Sequence, residues 1–179
     1  MSKKLHLGCG TRIIPGFINV DIRQVHPEIH VDNVATLETI EDRSVELIYA
    51  SHVLEHFGRY EVEKVLHCWL SKLCKGGILR LSVPNLRKVA SLYLSGEYSA
   101  EQMYGFLYGG QMHDFDFHKI IFDYESLERI LKQVGFSECR LWDWHITEHA
   151  SYDDYSQAYL PHMEKDAGTM MSVNLEAIK

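Results

Sequence analysis

The stretch K-K-L-H-L-G-C-G-T-R-I-I-P-G-F-I-N-V-D, Lys3–Asp21, decides the fold. Leu5 and Leu7 form a short apolar run that ends in Gly8-Cys9-Gly10. A second run, Phe17-Ile18-Asn19-Val20, ends in Asp21. The pattern is a strand, a glycine turn, a brief loop and a second strand tipped by a carboxylate. Glycines let the backbone turn sharply and let a ligand approach it, because no Cβ intervenes. Free N–H groups in such a turn attract anionic or polar groups. A carboxylate at the tip of the neighbouring parallel strand accepts two hydrogen bonds from a ribose diol. The same residues also suit an ordinary strand–turn–strand with a solvated aspartate.

Working outward, the hydride-transfer fingerprint is missing. Its third glycine falls on Ile13, and Asp21 follows Gly10 by 21 − 10 = 11 positions where the dinucleotide motif needs roughly 20. Thr11–Gly16 is too short to hold a packed crossover helix, so a loop is expected there. Further strands are expected at Ile29–Val31, Val45–Ala50 and Ile78–Val83. Arg59–Cys74 reads as a helix, because Val62, Val65, Leu66, Trp69, Leu70 and Leu73 share one face and Gly76-Gly77 can stop it. Leu86–Leu94 and Ala100–Tyr108 also read as helices, and Asp123 caps another that runs to Val134 before Gly135. Cys139–Ile146 and Ser172–Ile178 read as strands, the last antiparallel because no helix joins the two. Strands alternating with helices give an α/β fold, a doubly wound and mostly parallel sheet with its ligand outside the carboxyl ends of the strands.

The 179 residues are expected to form one domain, with an insertion around 95–120 and a lid-like loop around 147–170. Hydrophobic residues make up 46% and charged residues 24%, the profile of a globular protein. The net charge of −7 argues against nucleic acid as partner. No apolar run reaches the roughly 20 residues of a membrane span, and Met1–Lys4 carries no apolar leader, so a cytoplasmic location is expected. Cys9, Cys68, Cys74 and Cys139 fall in no paired spacing and read as free thiols.

The motifs then accumulate in order: L-H-L-G-C-G, Asp21, Asp32 with Leu37, A-S-H-V-L-E-H-F at 50–57, and L-C-K-G-G-I-L-R-L-S-V-P-N-L at 73–86. This series resembles the class I S-adenosylmethionine-dependent methyltransferases, above all small bacterial members with a shortened first loop. The resemblance implies a Rossmann-like seven-stranded sheet and S-adenosylmethionine as cofactor. It implies that Gly8, Cys9 and Gly10 lie against the methionine moiety and ribose. Asp21 would hold the ribose hydroxyls and Ile22 would flank the adenine. Asp32 would accept from the adenine amino group beside Asn33 and Val34, and the Ser51 carbonyl would face the cofactor's ammonium. Two positions depart from the pattern: His6 stands where members carry an acid, and Arg12 where many carry a third glycine.

Methyl transfer from a sulfonium needs alignment and exclusion of water, and it needs a base only where the acceptor loses a proton. His52 and His118 are the candidate catalytic bases, since histidine titrates near neutrality. His56 reads as a structural cap. Tyr104, Tyr108, Gln111 and the Tyr152–Tyr159 segment are expected around a small-molecule acceptor, such as a hydroxyl-bearing sugar or metabolite. This reading carries no metal. Two other readings stay open. Asp114, Asp116 and His118, with His113 nearby, would share a face in an extended segment and could ligate a divalent ion. An interaction domain could also keep the fold without the chemistry.

Overall fold

Alternation along the first strand sets the two faces of the sheet. In the computed structural model, which describes residues 3–179, β1 (Lys3–Leu7) buries Leu5 and Leu7 in the main core. His6 points the other way and stacks on Tyr49, with ring centroids 5.3 Å apart. β2 (Ile18–Asp21) and β3 (His30–Val31) extend the sheet on one side of β1. On the other side lie β4 (Val45–Ser51) and β5 (Leu73–Pro84), all five strands running parallel.

The Arg59–Cys74 helix is shorter at both ends than its apolar pattern suggests: α1 is Val62–Lys72. The Glu61 carboxylate accepts from Gly58 N at 2.7 Å, holding the chain in a turn before the helix starts. Leu73 already pairs with Val45, so the strand takes over four residues before Gly77. Gly76, at φ +76°, bends the chain inside β5 and does not terminate the helix.

α2 (Leu86–Leu94) and α3 (Ala100–Tyr108) follow, packing Val89, Leu92 and Met103 with Ala158 and Met171 into a small second core. α4 (Tyr124–Val134) is capped by Asp123, whose carboxylate accepts from Ser126 N, and is closed by left-handed Gly135. β6 (Glu138–Leu141) is half the strand expected at 139–146. Asp143 accepts from His145 N and turns Trp144–Ile146 into a 3-10 helix, which takes those residues out of the ladder. A short ribbon, β7 (Tyr159–Leu160) with β8 (Thr169–Met170), precedes β9 (Ser172–Ile178).

The seven-stranded sheet has the order β3-β2-β1-β4-β5-β9-β6, with β9 antiparallel to both neighbours. α1 and α4 meet the face that carries Leu5, Ile48, Leu79 and Leu175. The opposite face is covered differently from a regular doubly wound sheet. The 8–17 loop and the 142–152 segment supply Ile14, Phe17, Trp142, Trp144 and Tyr152 around Tyr49. Parallel strands need both faces covered, and here irregular chain does the second job. No helix of the described residues is long and apolar enough to cross a membrane.

Candidate functional site

The glycine turn after β1 opens on a cavity of 1190 Å³ at the carboxyl ends of the parallel strands. Gly8 sits at φ +60°, and a Cβ there would lie 2.6 Å from Val53 Cγ2. Gly10 sits at φ +53° with nothing within 4 Å of where its Cβ would be. Gly10 N donates to Asp21 Oδ2 at 2.9 Å and Arg23 N to Oδ1 at 2.8 Å, so the carboxylate is aimed and tied to the turn. Each oxygen keeps a lone pair for a further donor. Burial and the nearby Asp21 push the Cys9 thiol up to about 12, which makes it inert filling.

The cavity brings together Gly8, Cys9, Gly10, Asp21, Ile22, Asn33, Val34, Ser51, His52 and His118. It does not bring in Asp32. That carboxylate is turned into its own loop, where it accepts from Asn33 N at 2.7 Å, Thr39 N at 3.1 Å and Thr39 Oγ1 at 2.5 Å. Asp32 holds the 33–39 loop in place and leaves Asn33 and Val34 to face the hollow. Among the expected acceptor-side residues, Tyr155 and Tyr159 line the cavity. Tyr104 and Tyr108 pack against each other, half-exposed, outside it.

At position 6, where the resemblance leads one to expect an acid, stands a buried histidine, and another carboxylate, Asp154, lies in the cavity wall. His6 is buried and bonded to Asn19 Oδ1 at 3.0 Å. Asp154 reaches the carboxyl end of β4 and the cavity from the 147–158 segment. Its Oδ2 accepts from Tyr49 OH at 2.5 Å, and its Oδ1 from Ser156 N at 2.8 Å and Ser51 Oγ at 3.3 Å. Arg12, the other departure, donates to the backbone carbonyl of Asp153 and clamps the glycine loop to the same segment. Asp154 escaped the sequence reading. Its local signal, an acid two residues before Ser156 that caps Tyr155–Gln157, says nothing about which distant strand it will meet.

The other end of the cavity carries His52, His56 and His118, with Glu55 buried behind them. His52 adopts φ +53°, tilts against Tyr155 and places Nε2 at 2.9 Å from Ser172 Oγ. Burial, with the neighbouring His118 and His56, pushes its imidazole down to about 3. Burial also holds His118 and His56 below the ordinary value. Glu55 goes the other way: burial raises its carboxyl to about 8. The extended face expected at 113–118 does not form. Residues 112–116 fold into a turn closed by Asp116 N to His113 O and Met112 N to Asp116 Oδ2; Asp114, Asp116 and His118 all line the cavity, but neither aspartate comes within ligand distance of His118 in a shared cluster. His118 meets Glu55 and His56 instead.

Behind Tyr49, His149 is buried between Tyr49 and Trp142, with Nε2 3.1 Å from Arg80 Nη1. Burial, helped by Arg80 and opposed by Asp154 and Glu148, pushes it down to about 4. The folded state thus prefers neutral His149. Stability from this group is present above the unfolded value of 6.5 and is lost as pH falls towards 4. Urea unfolding at pH 7 and pH 5 is expected to show His149→Gln losing about 1–2 kcal/mol less than the parent between the two. Equal losses would place His149 in contact with water.

No protein-family model matches the chain, and no curated protein does. Solved structures do. A S-adenosylmethionine-dependent methyltransferase from Archaeoglobus fulgidus superposes with a TM-score of 0.60 at 16% identity, covering 99% of this chain and 86% of that one. A methyltransferase from Thermotoga maritima, described as a possible histamine N-methyltransferase, gives 0.58 at 15% identity over 100% and 83%. One from Mesorhizobium loti gives 0.58 at 13% over 99% and 90%. At these identities the likeness is one of architecture, and the chain has the fold shared by these S-adenosylmethionine-dependent methyltransferases.

Proposed function

We propose that the protein binds S-adenosylmethionine in this cavity and transfers its methyl group to a small-molecule acceptor. The observation that carries the reading is the side-chain-free Gly10, open to the cavity, with its N–H bonded to the aimed carboxylate of Asp21. A ribose edge can approach that backbone, and Asp21 has lone pairs left for the diol. In this reading Gly8, Cys9 and Gly10 lie along the ribose and methionine carbons. Ile22, Asn33 and Val34 border the adenine. Ser51 and Asp154 receive the ammonium, the one anion the methionine end requires and β1 does not supply.

The cofactor brings an already activated methyl group. The chain's part is to align it, keep water out and, for a hydroxyl acceptor, accept a proton. His118 lines the cavity with Nε2 free, because its Nδ1 bonds the Phe106 carbonyl at 3.0 Å. It suits the base role better than His52, whose Nε2 is committed to Ser172. Tyr155 and Tyr159 offer flat apolar faces with polar tips, which suits a sugar or aromatic acceptor.

Titration calorimetry with S-adenosylhomocysteine tests the core of the reading. One-to-one binding is expected. Absence of both heat and any thermal shift would leave an interaction domain that keeps the fold.

A further inference from the structure

With Glu55 ionised, the cluster around it holds acceptors and no donor. Glu55 is fully buried, and neither carboxylate oxygen accepts a hydrogen bond. The proton positions of the neighbouring histidines follow from their partners. His56 Nδ1 faces the Phe117 carbonyl at 3.1 Å and His118 Nδ1 faces the Phe106 carbonyl at 3.0 Å. A carbonyl only accepts, so both protons sit on Nδ1 and both Nε2 atoms present lone pairs. Ser172 Oγ spends its hydrogen on the Tyr155 carbonyl at 2.7 Å, so His52 must donate through Nε2. Its Nδ1 then points a lone pair at Glu55 Oε1, 3.3 Å away.

Lone pairs gathered around a buried, unpartnered carboxylate call for a cation. The candidate donor atoms of Glu55, His56 and His118 all lie within 4.8 Å of one another. A backbone carbonyl behind each imidazole is the support that metal-bound histidines use to fix tautomer and ring angle. The loop register backs the geometry: Lys119 N bonds the Glu55 carbonyl at 2.8 Å, which locks the 117–119 chain against the Leu54–His56 turn.

We propose that Glu55, His56 and His118 form a site for a first-row divalent transition-metal ion in the wall of the cavity. Two imidazoles and one carboxylate leave open positions on such an ion. The cavity side is where they open, since His56 and His118 line it and Glu55 lies behind. With the ion bound, His118 Nε2 is a ligand and no longer a base, and an acceptor hydroxyl completing the shell would lose its proton more easily through the metal; that part rests on the methyl-transfer reading, whereas the metal site does not.

Cobalt(II) alone is the probe, titrated into the purified protein without cofactor and followed by visible absorption and calorimetry. One equivalent is expected to bind. Glu55→Gln, nearly the same shape, and His118→Ala should each raise the cobalt Kd at least tenfold. His67→Ala, on the exposed face of α1 and outside the cavity, should leave it unchanged. If Glu55→Gln does not fold by circular dichroism, His56→Ala takes its place beside His118→Ala. No d–d absorption in the parent protein would overturn the site and identify Glu55 as a protonated acid shared with His52. So would Kd values within twofold across the triad variants. S-adenosylhomocysteine binding is measured in parallel, so loss of the metal site and loss of the cofactor site are separate results.

Discussion

Gly8→Ala is expected to weaken S-adenosylhomocysteine binding roughly 100-fold or more and to destabilise the fold by about 2–4 kcal/mol. Two costs add. At φ +60° an L side chain is strained, and the new methyl would lie 2.6 Å from Val53 Cγ2. Either the turn opens or Val53 moves, and both displace the backbone on which the proposed ribose rests. Affinity should fall roughly 100-fold or more, since a shift in the turn also misplaces Gly10 and its tie to Asp21. The double variant Gly8→Ala/Val53→Ala separates the costs. Removing the Val53 methyls should restore much of the stability and little of the binding. Calorimetric affinity within threefold of the parent for Gly8→Ala would show that the ligand lies elsewhere.

Asp154→Ala should weaken S-adenosylhomocysteine roughly 10- to 100-fold, the worth of a charge-assisted hydrogen bond to an ammonium. It should leave 5′-methylthioadenosine, which lacks the amino-acid end, within twofold. Asp21→Ala should weaken both, because both carry the ribose. This crossed pattern tests a geometric substitution. Where the family would carry an acid, β1 carries His6, and in the proposed site Asp154 of the 147–158 segment, held by Tyr49, Ser51 and Ser156, would take its part. Equal weakening of both ligands by Asp154→Ala would mean that it only props the site open.

Much of the fold was legible because its signals are local. The helices at 86–94 and 100–108 and the strand at 172–178 fall where periodicity puts them. Asp123 and Gly135 bound α4 as caps should. The misplacements are tertiary in origin. α1 stops at Lys72 because Leu73 finds Val45, and the strand after Leu141 yields to an Asp143 turn. The site divides in the same way. The glycine turn and Asp21 lie 11 positions apart on paired strands, so their meeting follows from β1 pairing with β2. Asp32 carried the right residue type at the right strand tip, but Thr39 and its own loop engaged the carboxylate first.

Local pattern thus settled most strands of the large sheet, the glycine corner and the carboxylate beside it, because these depend on residues a few positions apart. Only the packed chain decided that Asp154 meets Tyr49, 105 residues before it, at the wall of the cavity. The same holds for His118, which joins Glu55 and His56 in place of Asp114 and Asp116. Side chains so far apart in sequence meet only when the two faces of one sheet are covered, and no periodicity along the chain records that closure.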